Sequence, residues 1–331
     1  MGKRDEAPSG LILLHKQAGL TSFDSLRDIK RLLGSGKAGH TGTLDKFAEG
    51  LLLVLTGRAL RLSKWFTHCD KQYEGTIRFG LETDTLDPEG SVVAEAPLPS
   101  RQAVEQALAR FRGDIEQAPP AYSALHIDGE RASVLARRGE APEMQKRPVH
   151  IHRLELLSWE PPLARIFVHC SSGTYIRSLA RDIALATGSR GHLVSLLRTR
   201  VAGFRLEDAV SVKREEGTGN SGIDVRKQRE LPVRTDNEQQ LPVPSPQSPV
   251  PFLRLIDKTI FATLDIPCVD VSPDDAKKIM QGKSLAQVLK NAPPAASCGE
   301  NAVATVFCDD TFLAMIEFAD RWNYGYVYAR D

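Results

Sequence analysis

Gly36-Lys37-Ala38-Gly39-His40-Thr41-Gly42-Thr43-Leu44-Asp45 is the stretch on which the reading of this chain turns. It lies in the glycine-rich, polar segment from Ser35 to Gly50. A loop of that length inside a compact domain is expected to carry function. Gly-Lys among glycines first suggests a phosphate cradle. That fails, because Ala38 stands where Ser or Thr would hold magnesium and Arg31 occupies the first glycine position. A metal site at this loop is short of ligands, since only His40 and Asp45 are at hand. Taken alone, an Asp among glycines is most often a turn former.

Outward from the loop, Phe23 to Leu33 has helical periodicity. Thr21 and Asp24 begin it as a capping box and Gly34 ends it. Leu51–Leu55 reads as a buried strand and Tyr73–Phe79 as a second, and Ala103–Phe111 as a helix. Gln117–Pro148 is rich in Pro, Gly and Arg, with a short helical pattern at Ala132–Arg138. Arg165–Cys170 is strand-like, and Ile176, Leu179, Ala180, Ile183 and Ala184 recur at helical spacing before Gly188. With no regular βαβ rhythm, the fold class expected is α+β, mixed and mainly antiparallel. Residues 212–251 are polar and charged, and a flexible linker is expected there. From 252 to 331 a small β-rich unit follows, with Ser272-Pro273-Asp274-Asp275 as a helix start. Residues 1–9 are expected to be a disordered tail.

The chain has 331 residues, 41% hydrophobic and 26% charged, enough for two domains with real cores. Its five cysteines are odd in number and never spaced C-x-x-C, which argues against a disulfide framework or zinc ribbon and for a reducing cytoplasm. A net charge of +1 gives no global nucleic-acid signal. Local basic clusters at Lys30, Arg31 and Lys37, and at Arg58, Arg61 and Lys64, are the candidates for phosphate contact.

The loop Gly39-His40-Thr41-Gly42-Thr43-Leu44-Asp45 resembles the nucleophile loop of the bacterial tRNA pseudouridine-55 synthase family, TruB. Other stretches resemble it in order and spacing: Lys71-Gln72-Tyr73, Thr83-Asp84-Thr85-Leu86-Asp87, Pro120-Ala121-Tyr122-Ser123, Gly173-Thr174-Tyr175-Ile176-Arg177 and Gly191-His192-Leu193 with Arg198-Thr199. The C-terminal unit resembles, more faintly, the PUA-like domain of these enzymes. The resemblance implies a pseudouridine-synthase catalytic domain at 10–211, with 117–148 an RNA-gripping insertion, and a PUA-like RNA-binding domain at 252–331.

By the same resemblance, Asp45 is the catalytic carboxylate, Arg177 its cationic partner and Tyr73 the platform on which the target base stacks. A flipped base loses its stacking, and an aromatic ring offsets that loss. Tyr73 is also read as a helper in deprotonation. His40 is assigned to the space the flipped base leaves. Tyr175 is placed near the nucleophile, Lys16 under the active-site floor, and Asp84 behind these groups or in a turn. Departures from the family pattern are Gln17 for Pro, Lys46 and Glu49 for Pro and Thr or Ser, and Leu197 for Arg.

The implied reaction is isomerisation of a uridine in the T-arm loop of tRNA, with no cofactor and no metal. The expected partner is the tRNA T-arm stem-loop. No membrane and no obligate protein partner are expected, the protein working as a monomer. The competing expectation is a tRNA-folding chaperone whose isomerase activity has decayed. A guide-RNA-dependent subunit fits less well, because the long insertion suits direct gripping of tRNA.

Overall fold

The computed structural model describes residues 8–34, 36–127, 129–140, 144–214, 221–224, 250, 252–288 and 302–328. Its centre is a nine-stranded sheet. The strands run in the order Gly10–Lys16, Glu49–Thr56, Gly191–Val201, Lys71–Phe79, Leu163–Cys170, Arg147–Glu160 and Gly113–Gln117. Two short strands, Ala38–His40 and Phe204–Arg205, add to the second and third of these. Every pairing is antiparallel except one. Glu49–Thr56 meets Gly191–Val201 in parallel, with Leu197 opposite Glu49 and Arg198 opposite Gly50. The mixed, mainly antiparallel α+β class is therefore the observed one.

That single parallel contact brings two chain segments together at the sheet centre. Gly50 makes it possible. Its φ is +114°, and a Cβ there would lie 2.4 Å from the carbonyl oxygen of Arg198. Only glycine allows both the conformation and the approach.

Helices Arg101–Arg110 and Ile176–Ala186 cover one face of the sheet. Their apolar stripes (Val104, Ala107 and Leu108; Leu179, Ala180 and Ile183) pack on Ile77, Phe79, Leu154, Ile166 and Val168. Alternate residues of Lys71–Phe79 point into this core, as a half-buried strand requires. Helix Ser22–Leu32 has the expected capping box: Thr21 Oγ1 accepts from the Asp24 amide, and the Asp24 side chain accepts from the Thr21 amide. It buries Leu26 and Ile29 against Ile12, Leu14, Leu52 and Val54.

Strands Gly113–Gln117 and Arg147–Glu160 pair directly, so the 117–148 segment is an excursion from one edge of the sheet. It carries a two-stranded ladder, His126–Ile127 with Glu130–Arg131, and the helix Ala132–Arg137.

The tract expected to be a linker, 212–251, is structured at its start. Ser211–Arg214 pairs with Ser221–Asp224, and Val212 packs beside Val210 on the apolar cluster under helix Ser22–Leu32. Composition missed this because two valines suffice to anchor a strand where a hydrophobic surface is already built. Most of that tract, and residues 1–7 of the expected tail, lie outside the described residues.

The C-terminal unit is a four-stranded sheet, Cys268–Asp270, Val303–Cys308, Thr311–Phe318 and Trp322–Val327. Ser272 caps helix Pro273–Met280 as the sequence predicts. The unit has its own small core of Val269, Ile279, Ala304, Val306 and Ile316. Its other side is not free: Phe261, Phe307, Phe312 and Met315 join Leu11, Leu13, Leu53, Phe66 and Val201 in one buried cluster. This corrects the role of a basic cluster. Arg61 stacks over Tyr326 at 5.5 Å and Lys64 pairs with Glu317 at 2.5 Å, so both hold the C-terminal unit in place.

Candidate active site

Asp45 lies on a tight connection between strands Ala38–His40 and Glu49–Thr56, and side chains from distant segments fix it. Ser22 Oγ accepts from the Leu44 amide at 2.9 Å and donates to the Leu44 carbonyl at 3.0 Å. The Gly19 amide donates to the Lys46 carbonyl at 2.8 Å and the Ala48 amide to the Asp45 carbonyl at 3.2 Å. Lys16 is buried, and its ammonium donates to the carbonyls of Leu20 and Ala48, both at 2.6 Å, and of Gln17 at 3.0 Å. Burial lowers its pKa to about 8. This ammonium is spent on the backbone around Asp45, so Lys16 anchors the loop and is not placed to contact RNA.

Arg177 stands against Asp45 although 132 residues separate them. Nη2 donates to Asp45 Oδ1 at 3.0 Å, and Nε lies 2.9 Å from Oδ2. The planar fork thus meets both carboxylate oxygens. The same guanidinium donates to the carbonyls of Thr85 at 2.9 Å and Tyr122 at 3.0 Å. It also reaches Asp87 Oδ2 at 3.4 Å. Arg177 is 5% exposed, whereas the Asp45 side chain is 34% exposed, so the acid faces solvent and the cation the protein. Burial raises the Asp45 pKa, and Arg177 works in the opposite direction.

The residue behind the pair is Asp87. Asp84 is exposed and accepts from the Ser91 amide at 2.9 Å, a turn contact. Asp87 is buried, accepts from Thr85 Oγ1 at 2.6 Å and the Glu89 amide at 3.0 Å, and turns its other oxygen to Arg177. Both carboxylates sit in the quoted Thr83–Asp87 motif, and spacing alone does not say which one turns inward.

Tyr73 is 6% exposed and lies in the core beside Leu44, with Arg198 opposite it on the neighbouring strand. Burial pushes its phenol up to about 12. A phenol held that high is neutral near pH 7. It suits an apolar platform. Arg198 received no role from the sequence, yet it is almost wholly buried. Its Nε donates to the Leu51 carbonyl at 2.7 Å and its Nη2 to the Gly42 carbonyl at 3.1 Å, tying the strand paired with that of Tyr73 to the loop. His40 is half-buried on the short strand ahead of the loop, and burial followed by Arg198 lowers its pKa.

Tyr175 precedes helix Ile176–Ala186. Its amide donates to Gln117 Oε1 at 2.8 Å and its carbonyl accepts from Gln117 Nε2 at 3.1 Å. Gln117, unremarked in the sequence, thereby fixes the helix that presents Arg177. Beside the loop, a cavity of about 400 Å³ is lined in part by Phe47, Glu49, Glu74, Arg165 and Leu197. Two of the departures from the family pattern, Glu49 and Leu197, thus share one wall, and a third, Lys46, pairs with Glu89 at 3.1 Å.

An acid and an arginine joined across a mixed sheet, with a buried tyrosine beside them, set this chain among proteins of pseudouridine-synthase fold. A chain of the Cbf5–Nop10–Gar1 complex superposes with a TM-score of 0.65 at 19% identity, over 100% of this chain and 92% of that one. A chain of the archaeal box H/ACA sRNP Nop10–Cbf5 complex gives 0.64 at 19%, over 98% and 88%. At that identity the likeness is one of fold.

Sequence is more specific. The N-terminal domain model of the TruB family pseudouridylate synthases matches residues 30–176. The tRNA pseudouridine synthase B of Synechococcus is 46% identical over 222 residues, 66% of this chain and 74% of that one. Its counterpart in Borreliella burgdorferi is 44% identical over 204 residues, 61% and 72%. In Aromatoleum aromaticum the figures are 48% over 204 residues, 61% of this chain and 66% of the relative. The chain belongs to the TruB family. Among the described residues, no helix is long and apolar enough to cross a membrane.

Proposed function

We propose that this chain is a tRNA pseudouridine synthase that isomerises a uridine of the T-arm loop, position 55, with Asp45 as its catalytic residue. The observation that carries the reading is the Asp45–Arg177 pair, with a partly exposed ionisable carboxylate and a buried guanidinium behind it. The relatives named tRNA pseudouridine synthase B support tRNA as the substrate.

The reaction breaks the bond from the sugar C1′ to N1 of the base and forms one from C1′ to C5. The proton on C5 leaves and N1 gains one, so nothing is consumed. A carboxylate beside C1′ stabilises or traps the positive charge that develops there. Arg177 keeps Asp45 ionised and aimed, and Asp87 and the Thr85 and Tyr122 carbonyls keep Arg177 in place. Tyr73 offers an apolar face to the everted base, and His40 enters the space the base leaves. Lys16 holds the loop carbonyls. Phosphates are gripped by the 117–148 excursion and the C-terminal unit, so affinity falls with added salt. The protein acts as a cytoplasmic monomer without an obligate protein partner.

The test is incubation of purified protein with unmodified tRNA, followed by mapping of pseudouridine. Asp45→Asn is expected to bind tRNA and form no product. Full activity in that variant overturns the assignment of Asp45. Tight binding by the unaltered chain with no product in a single turnover favours the chaperone reading.

A further inference from the structure

Asp70, His152 and His169 come from three places in the chain and meet at one end of the large sheet. Asp70 immediately precedes strand Lys71–Phe79, His152 lies on Arg147–Glu160, and His169 lies near the end of Leu163–Cys170. One donor atom from each, a carboxylate oxygen and two ring nitrogens, all lie within 4.8 Å of one another. His152 Nε2 is 2.8 Å from Asp70 Oδ2, and the two imidazole centroids are 4.6 Å apart.

Backbone irregularity produces this meeting. Ile151 stands opposite Cys170 and Arg153 opposite His169, so His152 is the extra residue of a β-bulge. Bulges re-aim side chains, and this one turns an imidazole toward its neighbour. His169 pairs with Gln72, which places it on the sheet face opposite to Lys71 and Tyr73. The cluster is therefore separate from the Asp45 site.

A surface hydrogen bond between His152 and Asp70 would need only one imidazole. Here a second brings its ring nitrogen into the same small space. Two imidazoles and a carboxylate are the donor set of the borderline divalent transition metals. In a tetrahedral zinc site, ligand atoms stand roughly 3.3 Å apart, so the three donors need to close by about 1.5 Å at most, within reach of side-chain rotation. His150 packs on His152 with centroids 4.6 Å apart and is itself held by Asp114 at 2.7 Å, which limits how far His152 can swing away. Two guanidinium groups bear on His169: Arg200, whose Nε donates to the Ala202 carbonyl at 2.7 Å, and Arg153, which pairs with Glu155 at 2.8 Å and stacks over Phe167 at 5.2 Å. Asp70 and His152 are 43% and 35% exposed, leaving a path for an ion and room for a water ligand.

We propose that Asp70, His152 and His169 bind one zinc-class divalent cation, which clamps three adjacent strands at the root of the strand that carries Tyr73. The sequence reading of no metal rested on local spacing. These donors, at positions 70, 152 and 169, have none.

The test uses the full chain, stripped with chelator and dialysed against micromolar zinc. One zinc per chain is expected, together with a higher melting temperature, because a ligand that binds only the folded state stabilises it. Cobalt in place of zinc is expected to give the visible absorption of a four- or five-coordinate site. His152→Ala and His169→Ala should each remove the bound zinc and the melting shift, and Asp70→Asn should weaken binding by about tenfold or more. His126→Ala, outside the cluster, should leave the bound zinc and the melting shift unchanged. If an alanine variant fails to fold, His152→Gln and His169→Gln replace it, with folding checked by circular dichroism. Unchanged zinc content in the folded double variant, or no zinc bound by the unaltered chain, overturns the proposal. Pseudouridine formation is measured in parallel with and without zinc; its outcome bears on the Asp45 reading alone.

Discussion

Asp87 and Asp45 share the guanidinium of Arg177, one at Nη1 and the other at Nη2 and Nε. One acid is buried and faces protein, and the other is a third exposed and faces solvent. The cation is therefore aimed by one carboxylate at the other. Asp87→Asn keeps the shape and removes the aiming charge. A charge-assisted hydrogen bond contributes about 1.5–3 kcal/mol, so kcat should fall roughly 10- to 100-fold with tRNA affinity unchanged. Single-turnover assays beside filter binding separate the two.

Activity should respond to acid at a higher pH than an ordinary aspartate would dictate. The working form of Asp45 is ionised, and burial raises its pKa. Protonation on lowering the pH removes the active form, and the raised pKa moves that loss upward from the usual value of about 3.9. A pH profile of single-turnover rates checks this. A limb centred below that value contradicts it.

Lys71 is buried, its pKa lowered to about 8 chiefly by burial and then by Arg198, and its ammonium donates to the Thr67 and Cys69 carbonyls. A folded pKa below the unfolded one means that the folded chain binds fewer protons between about 8 and about 10.4. Stability contributed by this residue therefore rises with pH across that window. Against Lys71→Met, the unaltered protein should gain stability as pH goes from 8 to 10, read from urea midpoints at each pH.

Gly50→Ala puts a methyl group 2.4 Å from the Arg198 carbonyl oxygen on a backbone of positive φ. The parallel contact must open or the strand must bend. A loss of roughly 3 kcal/mol or more is expected, beyond the range of a surface substitution. Chemical denaturation measures it.

Phe261→Ala removes a fully buried ring from the cluster that joins the C-terminal unit to the catalytic domain. About 3–5 kcal/mol should be lost, as for other large-to-small core changes. Calorimetry is expected to show one transition, shifted down. A second, independent transition would mean that the shared core does not couple the two units.

Local chemistry made parts of this structure readable in advance. Thr21 and Asp24 announce a capped helix because the box closes within four residues, and Ile176 to Ala184 announce another through their spacing. The strand Gly10–Lys16 received no assignment, although its apolar run Leu11–Leu14 is as continuous as Leu51–Leu55 and could be read the same way. In the site, Asp45, Arg177 and Tyr73 followed from the family likeness, and the structure brings the first two together. What the sequence hides is which of several polar neighbours turns inward. Asp84 and Asp87 are three residues apart in one motif, and only the fold of that turn sends Asp87 to Arg177. Arg198 and Gln117 act through pairings that cross 147 and 58 residues, distances over which no pattern in the chain speaks.

The seam that fuses Leu11, Leu53 and Phe66 with Phe261, Phe307 and Phe312 makes the molecule a calliper with no joint. Under the proposed function, a nucleic acid held by the C-terminal unit would meet Asp45 across a span that this shared core sets. Recognition of a target would then depend on length along the substrate as well as on the reacting base.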